Sequence, residues 1–203
     1  MAGQIIDWIQ ISLNLFSQSS ARIIWNLFLA LIPLSLSFYL FRPPALRNVV
    51  WWAIFIVFIA FLPNAPYILT DSIHILELSP NYPLWSVVLV LLPQYILFIV
   101  AGFQAYVVSL MNLDSYLINQ SAEQYQLPTN AIIHALCVVG IYIGRFERFN
   151  SWDFVTKPGE VILTTGADLL DVGKFLSIAI AFFLVWLISE LTKSINRKIK
   201  LLL

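Results

Sequence analysis

From residue 23 onward the chain alternates between long apolar runs and short polar gaps. A helix rising ~1.5 Å per residue needs about 20 apolar residues in a row to cross ~30 Å of hydrocarbon, and several runs meet or approach that length. Ile23 to Phe41 lies between Arg22 and Arg42 without a charge, and Val49 to Thr70 lies in the same way between Arg47 and Asp71. The stretch from Leu78 to Leu113 carries no charge. Its start holds Pro80, Asn81 and Pro83, but Leu84 to Met111 is long enough to span with tilt. Leu127 to Gly144 contains His134 and meets Pro128 at its start, whereas Phe175 to Ser189 is short and spans only if Lys174 and Glu190 snorkel to the interfaces. The pattern predicts an all-α polytopic bundle, a single integral membrane domain over 1–203 with five spans near 23–41, 49–69, 84–111, 127–144 and 174–191. Six spans are the alternative if the N-terminal segment or Val161 to Leu170 enters the bilayer, although the latter is expected as a short surface helix.

The N-terminal segment has a different period. Gln4, Asp7, Gln10, Asn14 and Ser17 recur at three- and four-residue steps among Ile5, Ile6, Trp8, Ile9, Leu13 and Phe16, which predicts an amphipathic helix lying on the membrane. It does not read as a secretory signal, because a basic leading region is missing and Asp7 interrupts the apolar stretch.

Composition agrees with the pattern: 60% of the 203 residues are hydrophobic and 11% charged, against roughly 25% charged in soluble domains. The bilayer is therefore the expected partner. The net charge of zero, with no basic patch interleaved with aromatics, gives no sign of nucleic acid. The one cysteine, Cys137, falls inside the fourth run, so no disulfide forms within the chain.

With five crossings, the Arg42 and Arg47 loop and the tail bearing Lys193, Arg197, Lys198 and Lys200 share a side, which the positive-inside rule makes cytoplasmic. The loop expected over 112–126 joins them. The segment from Arg145 to Lys174 departs from the rule, since it holds four basic residues on the other side. One relative statement is independent of orientation: Asp71 to Pro83 and Arg145 to Asp153 are two crossings apart and share one membrane face.

Those two segments carry the candidate chemistry. In the first, Phe61-Leu62-Pro63-Asn64-Ala65-Pro66-Tyr67-Ile68-Leu69-Thr70-Asp71, two prolines each remove a backbone donor. The expected geometry stops one helix near Leu62, caps a short second helix with Asn64 and leaves free N–H groups, a positive half-dipole suited to an anion or carbonyl. The plainer reading is a kink where a helix leaves the bilayer. Asp71, His74 and Glu77 follow at steps of three, a row that suits a proton relay or, as candidate ligands, a metal ion. An ordinary hydrogen-bonded pair is the plainer reading.

In the second segment, Gly144-Arg145-Phe146-Glu147-Arg148-Phe149-Asn150-Ser151-Trp152-Asp153, the two arginines share a helical face and suit a phosphate or carboxylate. Asn150 or Ser151 would cap a following helix with Asp153 in its first turn. The alternative is an interfacial anchor in the aromatic belt. Asp71 or Glu77 pairing with Arg145 or Arg148 would staple the second span to the fourth. Deeper in the bilayer, His134, Gln94 and Gln104 should face the bundle, and a neutral His134 bonded to a glutamine or backbone carbonyl is expected. Walker, nucleophile-elbow, Cys-x-x-Cys and His-Glu-x-x-His motifs do not occur.

At both segments the chain resembles a family of bacterial multi-pass membrane proteins known as domain of unknown function 1361. The resemblance rests on Phe61 to Asp71 with His74, and on Gly144-Arg145-Phe146 with Arg148, Asn150, Ser151, Trp152 and Asp153. It implies a bacterial inner (plasma) membrane location and supplies no activity, substrate or cofactor. The function classes open to the sequence are a small membrane binding or scaffold protein and a membrane-embedded enzyme acting on a lipid or isoprenoid-like substrate; a small transporter stands third. In the first, Asn64, Asp71, His74, Arg145, Arg148, Asn150 and Asp153 hold the bundle together or take an anionic lipid headgroup. In the second, Asp71 or His74 is the base and the arginines hold phosphate.

Overall fold

The computed structural model describes residues 2–42, 47–149 and 153–202, and among these no strand occurs. Among the described residues, five helical stretches are long and apolar enough to cross a membrane: Gly3–Phe41, Val49–Asn81, Leu84–Asn119, Glu123–Glu147 and Val172–Ile199.

α1 (Ala2–Phe41) is a single helix of 40 residues, ~60 Å long at 1.5 Å per residue. The amphipathic N-terminal stretch thus continues without a break into the first span, since neither Gly nor Pro interrupts the chain between Gln4 and Ile32. Buried Leu15, Ser19, Ile23, Ala30, Ser37 and Leu40 line one stripe of α1. That stripe packs on α3 (Leu92–Asn119), which runs parallel to α1. Two hydrogen bonds fix the register: Ser19 Oγ donates to Gln94 Oε1 at 2.8 Å and Asn112 Nδ2 donates to Ser37 Oγ at 2.8 Å. Both join residues 75 apart, so the offset between the helices holds over ~27 Å.

α2 (Val49–Phe61) begins where Asn48 Oδ1 accepts from the Trp51 amide at 2.9 Å, a side-chain cap for one of the helix's free donors. Beyond Phe61 the structure corrects the expected stop and restart. Leu62 and Pro63 keep right-handed helical dihedrals, and the chain continues through the turns Asn64–Tyr67, Ile68–Ser72 and Ile73–Leu78. The ladder tightens at the prolines, where the Ala65 amide bonds Leu62 O at 3.2 Å, and returns to α-helical spacing with the Tyr67 amide on Pro63 O at 3.0 Å. Asn64 is not a cap; its Nδ2 donates back to Phe61 O at 2.9 Å, a carbonyl near the proline break. The Ala65 and Tyr67 amides, which would have faced an anion, are therefore occupied.

This proline-bearing run sinks into the bundle and meets α1, α3 and α4 (Gln126–Tyr142). Glycine allows the approach. A Cβ at Gly140 would lie 3.0 Å from Pro63 Cβ, and one at Gly102 would overlap the Ile68 side chain.

α4 passes into a wide turn, Ile143–Glu147, ended by Arg148 in the left-handed region at φ 58°. A single turn, Asp153–Thr156, precedes α5 (Pro158–Leu170), where the surface helix was expected. α6 (Val172–Leu202) runs antiparallel to α4, with Lys174 beside Glu147 and Trp186 stacked on His134.

Two boundaries move relative to the sequence reading. The loop expected over 112–126 is mostly helix, because α3 runs to Asn119 and the chain reverses around Ser121 at φ 52°. The tail expected after residue 191 is the last part of α6. Asp114 and Lys193, read as loop and tail charges, both end up buried.

Candidate functional site

Polar side chains gather at two places, one toward each end of the bundle. The first forms where α1, the run after α2, and the end of α4 meet. Asp71 is 2% exposed and accepts from Asn26 Nδ2 of α1 at 2.5 Å through Oδ2. Its other oxygen, Oδ1, faces His74 Nε2 at 3.8 Å and Arg145 Nη1 at 3.9 Å. His74 Nδ1 lies 2.6 Å from Glu77 Oε2, so the imidazole bridges the two carboxylates. Arg22 of α1 is near enough to act electrostatically on Asp71, Glu77 and Tyr95.

The geometry decides between several sequence readings. Asp71 and Arg145, two crossings apart, are neighbours, and Asn26 adds a third helix that the sequence did not single out. Asp71, His74 and Glu77 do share a row, but His74 points one nitrogen at each carboxylate, and the three do not surround a common point. Among the described residues no group of three His, Cys, Asp or Glu side chains is placed to hold a metal ion. Arg148 is exposed at the left-handed end of the fourth span, and Asp153 is half-buried in the first turn of the short helix that follows. Asn150, with Ser151 and Trp152, lies outside the described residues.

A second cluster, which the sequence reading missed, lies among α3, α4 and α6. Lys193 is 1% exposed, and its Nζ meets Asp114 Oδ2 at 3.0 Å and Glu190 Oε1 at 3.1 Å. Asn130 Nδ2 donates to Asp114 Oδ1 at 2.8 Å. One turn along α4, His134 is fully buried, with Nδ1 at 2.7 Å from the Tyr106 hydroxyl. The partner of His134 is thus a phenol and not a glutamine or carbonyl. Both glutamines serve other contacts: Gln94 receives Ser19, and Gln104 Nε2 donates to Asn196 Oδ1 at 2.9 Å. The available signal was spacing. Asn130 and His134 lie four apart, and Glu190, Lys193 and Asn196 recur every three residues, which continues a helical face past the last apolar run.

A cleft of about 390 Å³ lies between α3 and α6, lined in part by Gln104, Met111, Asn112, Ser115 and Asn196. Neither His134 nor Gln94 lines it.

Among known proteins, the sequence profile of a family described as "Protein of unknown function (DUF1361)" matches residues 25–188, most of the chain. That span contains both proline- and arginine-bearing segments. No curated protein and no solved structure matches the chain.

Proposed function

The chain belongs to the DUF1361 family, whose description states no activity, and we propose that it serves as a small binding or scaffold protein of the membrane. In this reading Arg145, Arg148 and Arg22 take an anionic lipid headgroup at the boundary that Asp71 organises. The observation that carries it is the unequal treatment of the two partners in the central contact. Asp71 is buried and takes its hydrogen bond from Asn26, whereas Arg145 stands off at 3.9 Å, beyond hydrogen-bond distance, with its side chain 21% exposed. A guanidinium in that position keeps donors for a second, bidentate partner such as a phosphate. Arg22 adds a second cation that acts on the carboxylates of both Asp71 and Glu77.

The enzymatic reading has less to stand on, because a general base needs a lone pair directed at substrate. Asp71 is buried, with Oδ2 held by Asn26 and Oδ1 facing His74 and Arg145, and His74 faces two carboxylates.

Native mass spectrometry of the full chain in detergent, titrated with phosphatidylglycerol or phosphatidylcholine, tests the proposal. Wild type should retain the anionic lipid preferentially, and Arg145→Gln and Arg148→Gln should each lower that retention. Equal retention of both lipids, or unchanged retention in both variants, would overturn it.

A further inference from the structure

The buried cluster among α3, α4 and α6 contains three polar atoms without a hydrogen-bond partner: Asn130 Oδ1, His134 Nε2 and Ser189 Oγ. All three residues are at most 7% exposed. In a membrane interior such atoms are costly to leave unpaired, since lipid offers them nothing. Their positions are not independent. Asn130 and His134 are one turn apart on α4, so they project from the same side of that helix. α6 is antiparallel to α4, with Lys174 beside Glu147 and Trp186 stacked on His134 at 6.2 Å between ring centroids. The same register carries Ser189, three residues past Trp186, to the level of Ala131, three before His134. Ser189 therefore falls between Asn130 and His134. Lys193, one turn beyond Ser189, reaches the carboxylate that Asn130 holds.

The three atoms are also chemically complementary. Asn130 Oδ1 only accepts, the Ser189 hydroxyl both donates and accepts, and His134 Nε2 takes the role that its Nδ1 contact with Tyr106 leaves to it. Two to four such partners are what an internal water molecule requires. We propose that a water molecule is bound within the bundle by Asn130, His134 and Ser189. It completes a hydrogen-bonded column from Glu190 through Lys193, Asp114 and Asn130 to the His134–Tyr106 pair. The inner end of the column is closed by aromatic rings, with Phe182 and Trp186 against His134. Glu190 has a side chain 47% exposed and forms the outer end. The site is independent of the headgroup reading, which concerns other residues.

Water-edited solid-state NMR on the full chain in lipid bilayers, with ¹⁵N-labelled histidine, reads the site directly. The protein has two histidines, so a His74→Gln variant assigns the signals. Magnetisation from water protons should reach His134 Nε2 on the rapid time course of a hydrated group. Ser189→Val, which replaces the hydroxyl by one methyl and adds a second, should lose that rapid component while the Nδ1 contact with Tyr106 persists. A wild-type Nε2 signal that builds only by slow spin diffusion would overturn the proposal, and so would rapid build-up unchanged in Ser189→Val.

Discussion

Lys193 Nζ lies 3.0 Å from Asp114 Oδ2, and the two residues are 6% exposed or less. Asn130 and Glu190 complete their coordination, so the charges are satisfied where water is scarce. Removing one member of such a pair strands the other, at a cost of about 3–5 kcal/mol, whereas replacing both with apolar groups of similar volume is often near neutral. Asp114→Leu and Lys193→Leu alone are expected to lower thermal stability in detergent sharply. The double variant should recover most of the loss. A double variant as unstable as the sum of the singles would show that the two residues act separately.

Asn26 gives α1 its tie to the proline-bearing run. Asn26→Leu removes the donor at 2.5 Å from Asp71 and leaves a buried carboxylate oxygen without a partner. Hydrogen bonds between membrane helices average about 0.6 kcal/mol and reach about 1.7, and the charged acceptor puts this one toward the upper end. Chemical unfolding in mixed micelles should show a loss of that size. In the Asp71→Leu background, the same Asn26 substitution should cost almost nothing.

Close packing at Gly140 gives a steric test. An alanine there brings Cβ to 3.0 Å from Pro63 Cβ and 3.1 Å from Cγ, and proline is a rigid neighbour. Gly140→Ala should destabilise by about 1–3 kcal/mol. Gly166→Ala in α5 meets nothing within 4 Å and should gain about 0.5–1 kcal/mol by restricting the unfolded chain. Equal melting temperatures for the two variants would contradict the packing described.

Much of this architecture could be read in the chain, because crossing a bilayer imposes a length and an apolarity that appear directly as charge-free runs. The shared face of Asp71 and Arg145 followed from counting crossings. Helix ends were harder. A charge marks the edge of a span in the sequence pattern, and that rule fails when the charge turns inward to a partner on another helix. Asp114 and Lys193 lie 79 residues apart, and neither local spacing nor the positive-inside rule reveals that they meet. Asn64 departs from its expected capping role for a related reason. A proline pair lacks donors but does not oblige the backbone to leave helical dihedrals, so the asparagine serves a carbonyl and not a new helix start. Asn26 carried no signal of its own, because a lone amide in an apolar run has no partner within reach along the sequence.

Cross-linking across the first cluster tests the central claim, that the proline-bearing run and the end of the fourth span meet at one boundary. The only cysteine is Cys137, so a Cys137→Ala chain accepts introduced pairs cleanly. With Asp71→Cys and Arg145→Cys, a short membrane-permeant bifunctional thiol reagent should link the two positions in lipid bilayers. A control pair, Asp71→Cys with Lys193→Cys, which belong to separate clusters toward opposite ends of the bundle, should stay unlinked. No link in the first pair, or equal linking in both, would contradict the account.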